Sequence, residues 1–408
     1  MNQILDFDEA LNVVHRHGSS LQKLEVEAEP LLECLNRVLA EPVMADRDQP
    51  PFDRSTRDGF ALRAEDAGSA LKIIGQIRAG ESWSGPPLGA GCAIEIMTGA
   101  PVPAGADAVT MVEHVELKDE SLRLVEGRSL NAGENIVPRG SEARADDVVL
   151  ARGTTIAAAE IALAAACGLT GLFVYRRPHV AIVATGDELV ELDETPGEQQ
   201  IRNSNSYGLA ALVAEAEGEA VRLPIARDRR DDLERIILEA RRSDLLLLSG
   251  GVSMGKYDLV EEVLHAMGAE FFFTGVKMQP GKPVVFGRLP ASGDFPAQYL
   301  FGLPGNPIST QVTFHCFVAP MLRVMAGAIA SSPRFAQATL AEDVAAKPGL
   351  TRVLPSHLTY DRARPEVRIV AWQGSGDLAA NARANCYAVF PSDKERFRAG
   401  DVVTILLR

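Results

Sequence analysis

Between residues 178 and 326, short apolar runs alternate with segments whose apolar residues recur every three or four positions. HVAIVA, AVRLPIA, LLLLS, FFFTGV and YLFGL read as strands. NSNSYGLAALVAEAEG, RRDDLERIILEARR, DLVEEVLHAMG and the long NPISTQVTFHCFVAPMLRVMAG read as helices. Runs as apolar as LLLLS and AIVA suit strands buried on both faces, as in a parallel sheet covered by helices. The expected fold class is therefore multidomain α/β, with a doubly wound, mostly parallel sheet at residues 178–328. In such a sheet, loops leaving the carboxyl ends of the strands line the ligand crevice.

The texture differs elsewhere. FDEALNVVHRH has helical spacing with Gly18 as its stop, and PLLECLNRVLA predicts a second helix with Pro30 near its start. From 51 to 150, LKIIGQI, AIEIMTG, AVTMVEHVEL and SLRLVEG alternate with Gly/Pro turns and predict a small β domain. TTIAAAEIALAAAC returns to helix, with Gly168 at the stop. Helix, β segment and helix suggest a β domain inserted into a helical one made of residues 1–50 and 151–177. From 329 to 408, VRIVAW, YAVFP and VVTILL predict a terminal β domain.

A length of 408 residues with 46% hydrophobic and 24% charged residues fits several soluble domains. A net charge of −14 opposes non-specific nucleic-acid binding, which depends on Lys and Arg neutralising phosphates. The acidic amino-terminal segment does not read as a signal peptide, and the richest apolar run, IAAAEIALAAAC, is interrupted by Glu160, so the expectation is a cytoplasmic chain without a membrane span. Five scattered cysteines fit reduced thiols, and the seven histidines lack ligand spacing, so no zinc or iron site is expected. An anionic ligand must then be held locally, by backbone N–H groups, a few lysines or a divalent cation.

Three polar, glycine-containing loops leave strands on one side of the predicted sheet: ATGDE (184–188), SGGVSMG (249–255) and GLPGNP (302–307). Glycines there permit close backbone approach, and free N–H groups at a following helix start attract anions. Each loop also has a purely structural reading. Asn306 with Pro307 is a good helix start, and Asp258 with Glu261 is a capping box. Asp187 and Glu188 can complement a helix dipole. Yet Asp187, Glu188, Asp228 and Asp258 all follow predicted strands of one sheet, and converging carboxylates call for a cation, so a magnesium-type site is the functional alternative. Lys277 and Lys282, in GVKMQPGKP, add positive charge beside the same edge.

Taken in order, PPFDRSTRDGFALR, IMTGAPVPAGADAV, ATGDEL, LSGGVSMGKYD, MQPGKPVVFG, GLPGNPIS and GSGDLAANARANC make the whole chain resemble the molybdopterin molybdenumtransferase (MoeA) family, which is related to the carboxyl-terminal domain of gephyrin. The resemblance implies an elongated homodimer with a helical dimerisation domain, an inserted β domain, the α/β domain and a C-terminal β-barrel. It implies insertion of molybdate into adenylylated molybdopterin, with Mg2+, releasing AMP. Asp58, Gly59 and Thr98 would face the α/β crevice of the dimer partner. Glu188, Asp228 and Asp258 match acidic positions needed for activity, and with Asp187 they are the candidate metal ligands. Ser249, Gly250, Gly251, Ser253, Pro304, Gly305, Asn306 and Pro307, with Lys277 and Lys282, match a pterin-phosphate cradle, and Ser375 matches a serine near it. Implied protein partners are the molybdopterin adenylyltransferase and molybdoenzyme maturation proteins. The chain departs from the family at Arg54, Arg57, Glu142 and Gln279. The two arginines would bind molybdate or an AMP phosphate, or else pair with Asp53 and Asp58.

On this reading magnesium bridges the phosphoanhydride and the carboxylates, and the dithiolene sulfurs replace oxygens around molybdenum. No Ser-His or Cys-His arrangement supports a covalent nucleophile. The rival readings are the preceding adenylylation step, a non-catalytic scaffold and a cofactor-storage protein.

Overall fold

A computed structural model describes residues 3–251, 259–329, 332–360 and 364–408. Helix α1 (Phe7–Ser19) starts at a capping box, in which the Asp6 N–H donates to Glu9 Oε2 at 3.2 Å, and it runs through Gly18 rather than stopping there. Its apolar face, Phe7, Ala10 and Val14, packs on the core of the α/β region. The second helix expected over PLLECLNRVLA does not form: Leu31–Cys34 makes one 3-10 turn. Pairing across the chain replaces it. Val26–Pro30 is antiparallel to Gly171–Tyr175, Asn36 turns at φ +65°, and the Ala40 N–H then reaches the Phe173 carbonyl at 2.8 Å. The unit expected to be mainly helical thus contains one α-helix among its residues 26–50 and 151–177, α2 (Ala158–Ala166), packed beside these strands through Leu39, Val43, Ala164 and Leu172.

Between these flanks, residues 59–124 form a six-stranded sheet. Phe60, Leu62 and Leu71 pack on one face, and Ala61, Ile94 and Val109 on the other.

The central sheet contains β1 (His179–Ala184), β2 (Glu219–Arg222), β3 (Leu245–Ser249), β4 (Glu270–Phe273), β5 (Val285–Leu289) and β6 (Gln298–Leu303), in the order β2-β1-β3-β6-β5-β4. The first four in that order are parallel; β5 runs antiparallel to β6, and β4, antiparallel to β5, returns to the direction of the first four, so the sheet is mixed with one reversed strand. All five residues of β3 are buried. Its leucines alternate between two cores: Leu245 and Leu247 lie with residues of α3 (Ser204–Glu215), and Leu246 and Leu248 with those of α4 (Arg230–Ala240) and α5 (Leu259–Ala266). Truncating such a leucine to alanine costs roughly 2–5 kcal/mol.

The long helix expected from Asn306 changes hydrogen-bond pattern part-way. It runs as α6 (Pro307–Thr313), a π-helical turn (Phe314–Val318) and α7 (Ala319–Met325). Pro320 lacks a backbone N–H, which interrupts the i→i−4 ladder at this place. Beyond it, β7 (Phe335–Leu340), β8 (Thr351–Tyr360), β9 (Pro365–Ile369), β10 (Cys386–Phe390) and β11 (Val402–Leu407) close into a five-stranded barrel through the β8–β10 pairing, with α8 (Leu378–Arg383) in the connection. Among the described residues, no helix is long and apolar enough to cross a membrane.

Candidate functional site

The carboxyl ends of β1, β3 and β6 meet because their loops bond to one another. The Thr185 N–H donates to the Ser249 carbonyl at 3.0 Å, and the Gly250 N–H to the Leu303 carbonyl at 3.2 Å. Glycine is required at this crossing. Gly250 and Gly251 have φ of +92° and +63°, and a Cβ on Gly250 would lie 2.6 Å from the Thr185 carbonyl oxygen. The strand ends enclose, with neighbouring segments, a cavity of about 500 Å³. Glu188, Ser249, Gly250, Gly305, Asn306 and Pro307 line it. Gly251 adjoins Gly250, and buried Pro304 shapes the third loop by accepting from Thr310 Oγ1 at 2.5 Å.

Two further segments complete the walls. The backbone carbonyl of Ser375 accepts the Ile308 N–H at 2.9 Å, which brings the GSGDL stretch onto the start of α6; Gly376 and Leu378 line the cavity. The other segment is Ile201 to Asn205, of which the sequence points only to Asn203 onward, as the beginning of a helix. Asn203 caps α3 by accepting from the Ser206 N–H at 3.3 Å. Asn205 Nδ2 donates to Ser249 Oγ at 3.1 Å and to the Gly305 carbonyl at 2.7 Å, joining two of the loops. The signal available was the run NSNS, whose residues favour side-chain bonds to loops and caps, at the start of an apolar helix.

Asn306 precedes α6 with Pro307 at its first position, but its side chain makes no capping bond, so its amide remains available to the cavity. The Thr185 hydroxyl also lines this region and is buried without a hydrogen-bond partner among the described residues.

Asp187, Glu188 and Asp228 come close together. The Asp228 N–H donates to Asp187 Oδ1 at 3.3 Å, and the Asp228 carboxyl is raised above the usual range by burial and then by Asp187 and Glu188. Mutually repelling oxygen donors of this kind suit a hard divalent cation. Among the described residues, however, no group of three or more His, Cys, Asp or Glu is placed to hold a metal. Ser253 and Asp258 lie outside the described residues, as does the capping box proposed for Asp258.

The remaining candidates do not line the cavity. Lys277 pairs with Asp6 at 3.0 Å, and Lys282 is exposed. Asp58 and Thr98 meet each other in the inserted sheet: Asp58 Oδ1 accepts from the Thr98 N–H at 2.6 Å and from Thr98 Oγ1 at 2.8 Å. These bonds, the backbone one foremost, hold the Asp58 carboxyl below its ordinary range. Two of the departures explain each other, because Arg54 pairs with Glu142 at 3.2 Å rather than with Asp53 or Asp58. Gln279 sits in a short strand paired with the start of β8, opposite Arg352.

Family models match in series along the chain: "MoeA N-terminal region (domain I and II)" at residues 5–168, "Probable molybdopterin binding domain" at 181–324 and "MoeA C-terminal region (domain IV)" at 337–407. A protein of Staphylococcus aureus strain Mu50 named molybdopterin molybdenumtransferase is 36% identical over 98% of this chain and 94% of its own. One of the same name from Staphylococcus epidermidis is 34% identical over 92% and 89%. The solved molybdopterin biosynthesis moeA protein of Pyrococcus horikoshii superposes with a TM-score of 0.79 at 28% identity, covering 100% of both chains. With matching architecture, matching regions in order and this identity over nearly its full length, the chain belongs to the MoeA family of molybdopterin molybdenumtransferases.

Proposed function

We propose that this chain inserts molybdate into adenylylated molybdopterin and releases AMP, giving molybdenum cofactor. The observation that carries the reading is the strand-end cavity, where three glycine-containing loops, the start of α6 and the Ser375 segment converge beside a carboxylate cluster. The relatives named for this transferase match over the whole chain, including the inserted sheet and the barrel.

The chain's own groups divide the work of binding. The Asn306 amide, the Ser249 hydroxyl and the unpartnered Thr185 hydroxyl offer hydrogen bonds to a polar ligand, while Leu189, Ile201 and Leu378 give it apolar surface. The amino end of α6 favours a phosphate group. Asp187, Glu188 and Asp228, with Asp258, would hold Mg2+, which would neutralise charge developing on a phosphoanhydride. A cation held there would offset the repulsion from Asp187 and Glu188 that, after burial, raises the Asp228 carboxyl.

The proposal includes a homodimer. It is supported by apolar side chains left exposed on the paired segments around α2: Val26, Leu32, Leu35 and Phe173 are 47%, 77%, 46% and 50% exposed. Asp58 and Thr98 would then serve the cavity of the second copy. The domain division that fits is 26–50 with 151–177, 51–150, 178–328 joined by α1, and 329–408. Partners and compartment follow the family reading: the adenylyltransferase that supplies substrate, and the cytoplasm.

The test is molybdenum bound to pterin after incubation of adenylylated molybdopterin with protein, Mg2+ and molybdate. Wild type is expected to turn over, and Asp58→Ala and Glu188→Gln each to fail. Mixing the two variants should restore about a quarter of the activity, because about half of randomly assorted dimers then carry one intact site. No recovery on mixing would count against a shared site. Tight ligand binding without any product would favour a scaffold or store.

A further inference from the structure

The carboxyl end of α3 borders a second cleft, of about 360 Å³, which shares no lining residue with the strand-end cavity. Ser204 begins α3 at the first cavity and Glu215 ends it at this one, so the two are separated by about 16 Å of helix. The cleft lies where three parts of the molecule meet. Leu212 and Ala319 belong to the α/β body, Arg334 and Leu407 to the barrel region, and Asn36 to the paired segments near α2.

Its lining includes three cationic side chains, Arg323, Arg334 and Arg408. Arg408 Nη1 donates to the carbonyls of Asn381 and Ala384 at 2.8 and 2.7 Å, and its guanidinium lies over the Tyr387 ring. Those contacts fix the group without neutralising it. Among the described residues, Arg323 and Arg334 have neither a salt bridge nor a side-chain hydrogen bond, although Arg323 is substantially buried. Burial and the neighbouring Arg334 both act against the Arg323 charge. Among the described residues, the acidic groups lining the cleft do not pair with them: Glu217 is bonded to Arg177 at 3.3 Å, and Glu215 is exposed.

A fourth group points to a missing ligand. His315, 9% exposed, lines the cleft from the π-helical turn, and its Nε2 is buried with no hydrogen-bond partner among the described residues. Burial first, then Arg408, Arg323 and Arg334, push its pKa down to about 4, so it is neutral at pH 7. π-helical turns inside longer helices are frequent at functional sites. Clustered guanidinium groups without carboxylate partners suit a compact anion with several acceptor oxygens, and Arg in particular matches phosphate-like geometry.

We propose that the cleft bounded by Arg323, Arg334, Arg408 and His315 binds a tetrahedral oxyanion, free or as the phosphate of a nucleotide, and thereby clamps the barrel to the α/β body. The site lies apart from the proposed reaction and does not depend on it. Both α3 and the α6–α7 helix run between the two cavities.

The experiment follows the His315 imidazole resonance, assigned by its loss in His315→Gln, while the full-length protein is titrated with inorganic phosphate, molybdate or AMP. A saturable shift is expected with at least one probe. The His315 titration midpoint should move upward in the bound state, because the anion offsets the three positive charges. The same probe should bind about tenfold or more weakly to Arg323→Gln and to Arg334→Gln, with Arg323→Lys recovering part of the loss. Response to phosphate or molybdate assigns a free oxyanion, and response to AMP alone assigns a nucleotide phosphate. Glu188→Gln, at the other cavity, should leave the His315 shift unchanged. Arg334 is exposed, so its variant guards against a mere folding defect. Absence of a saturable shift with all three probes, or equal affinity in Arg323→Gln, Arg334→Gln and wild type, would overturn the proposal.

Discussion

Replacing Asn205 by alanine tests how the cavity is held open. Its amide nitrogen is the donor to Ser249 Oγ at 3.1 Å and to the Gly305 carbonyl at 2.7 Å, so one side chain spans the loops after β3 and β6. A neutral hydrogen bond contributes about 0.5–1.5 kcal/mol net. Asn205 is half-buried, and water can replace part of the loss, so the summed effect on stability should be near 1 kcal/mol. Thermal midpoints should fall by no more than about 4 °C. Turnover depends more sharply on loop position: an effect of ~1–2 kcal/mol on the transition state gives a kcat/KM about 5- to 30-fold lower. Asn205→Asp should be worse than Asn205→Ala despite its similar shape, since a carboxylate oxygen would then face the Gly305 carbonyl. Steady-state kinetics of pterin metallation, with melting curves for all variants, measure both effects. An alanine variant with unchanged kcat/KM, or an aspartate variant equal to wild type, would refute this role.

Three other outcomes follow from the geometry. Gly250→Ala should abolish turnover, because the new Cβ would fall 2.6 Å from the Thr185 backbone oxygen at a φ of +92°; full activity would show that the loop crossing is adaptable. Asp228→Asn should lose activity yet melt no lower than wild type at pH 7. The Asp228 carboxyl is raised in the folded protein, so its contribution to stability is fully present below the unfolded pKa and is lost as pH rises through the folded pKa. The advantage of the asparagine in melting curves should therefore grow over that rise and vanish in acid; a variant less stable at pH 7 contradicts the repulsion. Arg54→Ala should leave the KM for molybdate within about twofold, as the guanidinium is held on exposed Glu142 and such a pair is worth little. A large rise in KM would assign Arg54 to the ligand instead.

Much of the α/β region was legible because its physics is local. Four leucines in a row followed by Ser-Gly-Gly identify a strand buried on both faces and a turn that needs positive φ, and β3 with Gly250 has that form. The same reasoning failed over PLLECLNRVLA, whose helical spacing yields to long-range pairing: Ala40 bonds to Phe173, and Asn36 takes a left-handed turn. VVFGR was not read as a strand, and it pairs antiparallel with β6 to make the sheet mixed. Site residues set by tertiary contact were the least visible. Asn205 matters because α3 starts beside two loops more than forty residues away, and Lys277 is turned to Asp6, which no motif indicates.

The most direct measurement is AMP release from adenylylated molybdopterin by purified protein with Mg2+, with and without molybdate, for wild type, Glu188→Gln and Asp228→Asn. The account predicts release that requires molybdate and is lost in both variants. Release independent of molybdate, or undiminished in both variants, would contradict a molybdate-inserting site at the strand ends.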